Sequence, residues 1–456
     1  MQDYLDPTGC PNEPPAIQKM TPATRLLHAA IDAASKKRGV PYLHPEDPSI
    51  QLDLLGSRHM ITWQESKSAA LFAGESCWSE LPQIYGRYGV ESTRQLIGKV
   101  RQLEDASAVV LTDCGMQACA FILDVLVQPR SHAIVMRQVY NKTKKHLEWL
   151  CNRSNATFEV INDGDLDALE AAVQPQTTVI FAETYTNPLT RALDPEALSA
   201  LILRLREKRA RRLRLVLDNT IASPWGVKRP LLAFDGIDVV VASGTKSLGG
   251  QDRDLWGYVA SHNYDILNEI MDLQATRGGI LDWRRASVIV DGLEESSAAF
   301  KQRCASAERV AGFLASHPRV AEVFHPSLPQ HPDAVIVRKH YALPGSLLSF
   351  RIPGDEDTAR HFADVLATCV VPRYALSFDG LTTKINHHPT VSEYFTPEDE
   401  LKRCGFDRVL RLGVGLEAPE DVMACLNWAL WNHDKVAAAT VLAWQEQREK
   451  DLGITR

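Results

Sequence analysis

The chain has 456 residues, 45% of them hydrophobic and 23% charged, with 50 basic against 57 acidic side chains for a formal charge of −7. At roughly 150 residues per domain this is the size of two or three domains, and the apolar fraction excludes wholesale disorder and collagen-like repeats. The mild negative charge argues against a nucleic-acid-binding surface, and no run reaches the ~18 apolar residues of a membrane span.

The start, Met1-Gln2-Asp3-Tyr4-Leu5-Asp6, lacks the basic and apolar regions of a signal peptide. Nine cysteines, an odd number with no CxxC, argue against a disulfide framework or zinc ribbon and lead to the expectation of a reducing cytoplasm. Residues 1–80, punctuated by Pro7, Pro11, Pro14, Pro15, Pro22, Pro41, Pro45 and Pro48, read as an extended arm with one helix, Pro22 to Lys37. An arm of that length is expected to pack on a neighbouring subunit.

From about residue 90 the pattern changes. Helical spacing covers Thr93 to Asp105 and Met116 to Val127, followed by a short apolar run from His132 to Met136. A helix is predicted from Lys142 to Cys151, a strand from Thr157 to Ile161, a helix from Leu166 to Val173 and a strand from Thr178 to Ala182. Next come a helix opened by Pro195 and running to Arg212, and strands from Leu213 to Leu217 and from Ile237 to Ala242. Short apolar strands alternating with helices imply a mainly parallel sheet covered on both faces. Ligands in such sheets bind beyond the carboxyl ends of the strands. The basic run Arg204 to Arg214 reads as a solvated helix face. A helix from Ala298 to Ser316, a strand from Ser346 to Arg351, a helix from Thr358 to Ala367, a strand from Val409 to Leu416 and a helix from Pro419 to Trp431 predict a smaller α/β domain. The expected division is an arm over 1–80, a large domain over 81–285 and a small domain over 286–456.

Two polar signals end predicted strands. Leu217-Asp218-Asn219-Thr220 places a carboxylate at the end of a buried strand, which is costly unless a cation meets it. Ser243-Gly244-Thr245-Lys246 follows the next strand. A lysine there, beside Ser and Thr hydroxyls, suits a Schiff base next to a phosphate, because burial lowers its pKa and makes it nucleophilic. Pyridoxal phosphate needs this pair: an imine-forming lysine and an acid facing its ring nitrogen. Asp113-Cys114-Gly115-Met116 opens a predicted helix whose free N–H groups could hold a phosphate. Tyr140 could stack on an aromatic ring. His387 and His388 are adjacent and no HExxH occurs, so no metal site is expected.

The order of motifs resembles the cystathionine γ-synthase / cystathionine γ-lyase / methionine γ-lyase family of Cys/Met metabolism. Tyr85-Gly86-Arg87 resembles Y-x-R, Leu103-Glu104-Asp105-Ala106 L-E-x-A, Cys114-Gly115-Met116 S-G-M, and Glu183-Thr184-Tyr185-Thr186-Asn187-Pro188 E-[ST]-P-x-N-P. The stretch Leu217 to Pro224 resembles V-D-N-T-F-x-[ST]-P, Ser243 to Lys246 S-x-T-K, and Arg411 to Glu417 R-L-S-V-G-x-E. The resemblance implies fold type I, the aminotransferase-like PLP fold. It implies that Lys246 holds pyridoxal 5'-phosphate and shuttles protons, that Asp218 faces the pyridine nitrogen with Thr220 nearby, and that Gly115, Met116, Ser243 and Thr245 bind the phosphate. Tyr85 and Arg87 would reach the phosphate of an adjacent subunit, in a homodimer or homotetramer with shared sites. Tyr140 would stack on the ring and serve as a base, Asn187 would contact the cofactor's 3-oxygen and the substrate, and Arg411 would hold the substrate carboxylate. Ser377 and Leu376 would lie on the substrate side.

The chain departs from the family pattern at several places. Tyr140-Asn141-Lys142-Thr143 stands for Y-G-[GT]-T, Val90-Glu91-Ser92 for N-P-T, Gly250-Gln251-Asp252-Arg253 for G-H-x-D, and Ser377-Phe378-Asp379-Gly380 for S-L-G-G. The cofactor shell is kept and the substrate shell altered. The expected activity is γ-elimination or γ-replacement on an L-amino acid with a leaving group at Cγ. β-Elimination is the near alternative, and a non-catalytic scaffold the distant one. In the family the residue before the S-L-G-G serine tracks the substrate's distal end. Leu376 at that place cannot satisfy a buried ammonium, which predicts an uncharged or compact distal group, whereas Lys142 could attract an anionic one.

Overall fold

The computed structural model describes Arg87 and residues 89–451, apart from 209–211, 250, 251, 253 and 370. The expected arm, its Pro22 to Lys37 helix and Tyr85 lie outside the described residues.

Seven strands form the larger sheet: β1 (Ala108–Thr112), β2 (His132–Met136), β3 (Thr157–Ile161), β4 (Thr177–Glu183), β5 (Arg214–Asp218), β6 (Val239–Ala242) and β7 (Gly257–Ser261), in the order β1-β7-β6-β5-β4-β2-β3. β3, β2, β4, β5 and β6 run parallel, and β7 is antiparallel to both of its neighbours, β6 and β1. The middle strands are apolar throughout because helices cover both faces, which removes the alternation of a half-exposed strand. That absence of alternation is why β1 and β7 are not legible in the sequence. Ala108–Thr112 follows directly on a helix, and Gly257 opens β7 with the weakest strand former. The predicted helices are present at Glu91–Glu104, Gly115–Leu126, Asn141–Ser154, Leu166–Ala172 and Pro195–Lys208, and a further helix, Tyr264–Arg277, was not predicted.

A helix of 34 residues, Trp283–Ser316, begins well before the expected Ala298. Its first half buries Ala286, Ile289 and Leu293 in the core of the larger sheet, and its second half buries Ala307, Val310, Ala311 and Leu314 in the second core. The expected division at 285/286 thus falls in the first turn of an element that packs on both. Full burial of each Leu or Ile contributes ~1.5–3 kcal/mol, so this one helix ties the two layers together.

The second sheet contains β8 (Glu322–Phe324), β9 (Leu347–Arg351), β10 (Arg373–Tyr374), β11 (Lys384–His387) and β12 (Leu410–Gly413), ordered β10-β11-β12-β9-β8. All pairs are antiparallel except β10 with β11. Glu356–Ala367 and Pro419–Asn432 are the helices predicted for this part. In the centre, Arg411 on β12 sits between Asn386 on β11 and Ser349 on β9. A buried guanidinium is thereby carried on a strand fixed from both sides. In the basic run, Arg204 pairs with Glu170, and Arg206 and Arg214 both pair with Asp238.

Candidate active site

β4, β5 and β6 are parallel neighbours, so their carboxyl ends share one edge of the sheet. Beyond it lies a cavity of about 520 Å³. Gly115, Met116, Tyr140, Asn187, Asp218, Thr220, Ser243, Thr245, Lys246, Leu376, Ser377 and Arg411 all line it. Of the remaining expected residues, Arg87 is exposed and does not line the cavity, and Tyr85 is outside the described residues.

The lysine turn is fixed by packing. A Cβ on Gly244 would fall 2.1 Å from the Trp256 ring, so only glycine lets the chain pass there. Trp256 N–H donates to Thr245 Oγ1 at 3.0 Å. Lys246 Nζ donates to Ser377 Oγ and lies 5.1 Å from the Phe378 ring. Burial lowers the pKa of Lys246 to about 8, with Asp379 opposing the shift. About a tenth of this amine is then neutral at pH 7, far more than for an ordinary lysine, and the neutral form is the one that attacks a carbonyl.

Asp218 ends β5. Its Oδ1 accepts from Thr220 N–H at 2.8 Å and its Oδ2 from Cys119 Sγ at 3.8 Å. Burial raises its pKa to about 6. Beside it, Glu183 ends β4, and its pKa is raised by burial and then by the Asp218 charge. Glu183 Oε1 accepts from Tyr140 N–H at 2.7 Å, which sets the backbone of the tyrosine at the head of helix Asn141–Ser154. Tyr140 keeps 39% of its surface exposed, and its pKa is raised by burial, against the lowering influence of Lys142 and Arg411.

On the opposite wall, Arg411 Nη1 donates to Asn187 Oδ1 at 3.2 Å and Nη2 to the Leu376 carbonyl at 2.9 Å. Its Nε has no hydrogen-bond partner among the described residues, and burial lowers its pKa to about 10. A buried cation with unspent hydrogen-bonding capacity at a cavity is a receptor for an anion, and a guanidinium suits a carboxylate. Asn187 is held in place because Thr186 Oγ1 and Leu189 N–H both donate to Gln138 Oε1 at 3.0 Å.

The third element is a phosphate-sized cradle. Helix Gly115–Leu126 starts without a side-chain cap, and Gly115 and Met116 line the cavity. A Cβ on Gly115 would fall 2.4 Å from Ser243 Cβ, so the bare backbone of the helix start lies directly on the end of β6. Ser243 N–H donates to Thr220 Oγ1 at 2.8 Å, joining the ends of β5 and β6. A helix N-terminus with Ser and Thr hydroxyls beside it attracts a dianion.

Several lining residues were not singled out from sequence. Glu183 was visible only as a motif letter. Cys119 and Phe378 are apolar-looking residues whose relation to Asp218 and Lys246 exists only in three dimensions. Lys142 does not point freely into solvent: its Nζ donates to Tyr394 Oη at 2.8 Å and lies 5.1 Å from the Phe395 ring. Leu376 lines the cavity with its side chain 73% exposed.

A buried lysine, a buried acid one strand away, an uncapped helix start and a buried arginine thus surround one cavity. A profile of the Cys/Met metabolism PLP-dependent enzymes matches residues 62–431, and the chain belongs to that family. It is 32% identical over 348 residues to chloroplastic cystathionine gamma-synthase 1 of Arabidopsis thaliana, a match covering 76% of this chain and 60% of that enzyme. It is 31% identical over 359 residues to the O-succinylhomoserine sulfhydrylase of Pseudomonas aeruginosa, covering 78% of this chain and 85% of that one. The cystathionine gamma-lyase from Lactobacillus plantarum complexed with L-serine superimposes with a TM-score of 0.70 at 26% identity, covering 78% of this chain and 90% of that one. The fold is therefore fold type I, and the family's cofactor is pyridoxal phosphate. The residues present fit it: Lys246, a buried amine, and Asp218, a buried carboxyl one strand away, line the same cavity as the uncapped start of the Gly115 helix. No helix among the described residues is long and apolar enough to cross a membrane.

Proposed function

We propose that the chain is a PLP-dependent enzyme of the transsulfuration type, catalysing γ-elimination or γ-replacement on an L-amino acid with a leaving group at Cγ. The observation that carries this reading is that Lys246, Asp218 and the buried Arg411 line one cavity. Pyridoxal phosphate, when bound, withdraws electron density from the substrate's Cα. Lys246 would hold the cofactor, Asp218 would serve its ring nitrogen, Thr220 and Asn187 would assist, and Gly115, Met116, Ser243 and Thr245 would bind its phosphate. Arg411 grips the substrate carboxylate with two donors, which fixes the Cα–H bond toward Lys246. The Lys246 amine then removes the Cα proton and manages the proton at Cβ whose loss precedes departure of the γ-group. Ser377 Oγ orients Lys246 Nζ between these tasks. Tyr140, which lines the same cavity, would stack on the cofactor ring and serve as the second base.

The relatives named cystathionine gamma-synthase and O-succinylhomoserine sulfhydrylase support this reading. We further propose a homodimer or homotetramer in which Tyr85 and Arg87 complete the neighbour's phosphate site, and a cytoplasmic setting in keeping with the free cysteines among the described residues. The test is incubation of the holoprotein with γ- and β-substituted L-amino acids, with 2-oxoacids and coupled products followed by mass spectrometry. Turnover of γ-substituted substrates supports the reading, and turnover of β-substituted ones alone overturns the regiochemistry.

A further inference from the structure

The family resemblance places a glycine where this chain has Asp379, and the structure gives that aspartate a definite set of partners. Asp379 is buried, with φ +60° in the left-handed region, a backbone state unfavourable for a non-glycine residue. Its side chain offsets that cost. Oδ2 accepts from Ser247 Oγ at 2.7 Å, and Oδ1 accepts from Ser346 Oγ. The fully buried Arg303 brings its Nε within 4.0 Å of Oδ1, and donates from Nη2 to the Ser247 carbonyl at 3.4 Å and from Nη1 to the Gly380 carbonyl at 3.5 Å. Lys384 donates to the Asp379 carbonyl and also to Asp252, at 2.7 Å from Oδ1.

These contacts converge on the neighbours of Lys246. Ser247 is the next residue in the chain, and Ser377, two residues before Asp379, accepts from Lys246 Nζ. From these contacts we infer that Asp379 is a positioning residue, tying the Ser377–Gly380 loop to the lysine turn through Ser247 and placing its carboxylate against that turn.

The other charges around Lys246 do not duplicate this role. Arg411 and Lys384 oppose its protonation, and Asp252 favours it less than Asp379 does. Tyr140, Asp218 and Glu183 line the same cavity on the opposite side, and the two carboxyls are held toward their neutral forms by burial. Asp379 is the leading charge favouring a protonated Lys246.

The inference rests on Lys246 holding the cofactor, and its test reads the cofactor's visible absorbance rather than turnover. The holoprotein is titrated with base and the midpoint of the spectral change is compared among wild type, Asp379→Asn and Asp379→Glu. Loss of the anion is expected to move the midpoint down by about one pH unit, and the glutamate to restore most of it. An unchanged midpoint in Asp379→Asn, with only reduced thermal stability, overturns the charge role. Ser247→Ala keeps both charges and cuts the tether. Its apoprotein is expected to capture added pyridoxal phosphate about tenfold more slowly, with the midpoint in place. Capture at the wild-type rate overturns the tether, and this variant decides the matter should Asp379→Asn fail to fold. A wild-type protein that shows no visible band with pyridoxal phosphate would instead sink the cofactor assignment itself.

Discussion

Glu183 and Asp218 stand in register at the ends of two adjacent parallel strands, and burial holds both carboxyls above their ordinary pKa. Two acids side by side in a desolvated site cannot both ionise cheaply, so without a cation the pair keeps a proton. A protonated pyridine ring is such a cation. Such a ring, if bound beside the pair, would favour its charged form.

This has a consequence for stability. Beneath the pair, Glu104 is fully buried with a pKa raised by burial to about 7, accepting from Tyr258 Oη at 2.5 Å and from Asn219 Nδ2 at 3.5 Å. A carboxyl raised in the folded state binds its proton more tightly there than in the unfolded chain, so unfolding becomes easier as pH rises between the two pKa values. The apoprotein should lose stability from about pH 4.5 to about pH 7. Glu104→Gln, which keeps an acceptor for Tyr258, should remove on the order of 1–3 kcal/mol of that decline. Urea midpoints at pH 5 and pH 8 check this, and identical pH slopes in wild type and variant would count against it.

In the proposed reading the forked Arg411 guanidinium meets the substrate carboxylate. Arg411→Lys keeps the charge and loses the fork, so kcat/KM should fall about a hundredfold while the cofactor's visible absorbance stays at its wild-type value. A loss of cofactor instead would mean that Arg411 serves the cofactor and not the substrate.

Leu376 and Lys142 line the same cavity, and the proposed reading gives them the far end of the substrate. Because Leu376 is 73% exposed, Leu376→Glu should change stability by no more than about 0.5 kcal/mol. It should raise the ranking of cystathionine against methionine and the homoserine esters, because a distal ammonium gains a partner. Competition assays with mixed substrates measure this. A wild type that already prefers cystathionine over all the others refutes the assignment.

Shared sites make a separate prediction. Arg87→Ala and Lys246→Ala proteins, each inactive, should regain part of the activity when mixed, because some mixed dimers assemble one complete site. If subunits are shown to exchange and no activity returns, Arg87 does not serve the neighbour.

The parts of this protein legible in its sequence are those that depend on local pattern. The parallel strands announce themselves as apolar runs between helices, and the lysine turn, Asp218, Gly115 and Arg411 sit at strand ends or helix starts where few other roles fit. β1 and β7 are hidden because strands buried on both faces lose their alternation. The Asp379 network is hidden for a different reason. Its members come from Ser247, Arg303, Ser346 and Asp379, four distant stretches of chain, and each looks like an ordinary polar residue until the fold buries them together. Lys142 shows the limit of reading a charge from sequence alone, since Tyr394 and Phe395, far along the chain, decide where its amine rests.

The central claim is that Lys246 carries the cofactor and moves the protons. The direct measurement is the absorbance spectrum and single-turnover rate of Lys246→Ala after reconstitution with pyridoxal phosphate. The account predicts loss of the visible band of the lysine-bound cofactor and a rate reduced by several orders of magnitude, because both the attachment and the proton carrier are gone. A variant with the wild-type spectrum and the wild-type rate would contradict it.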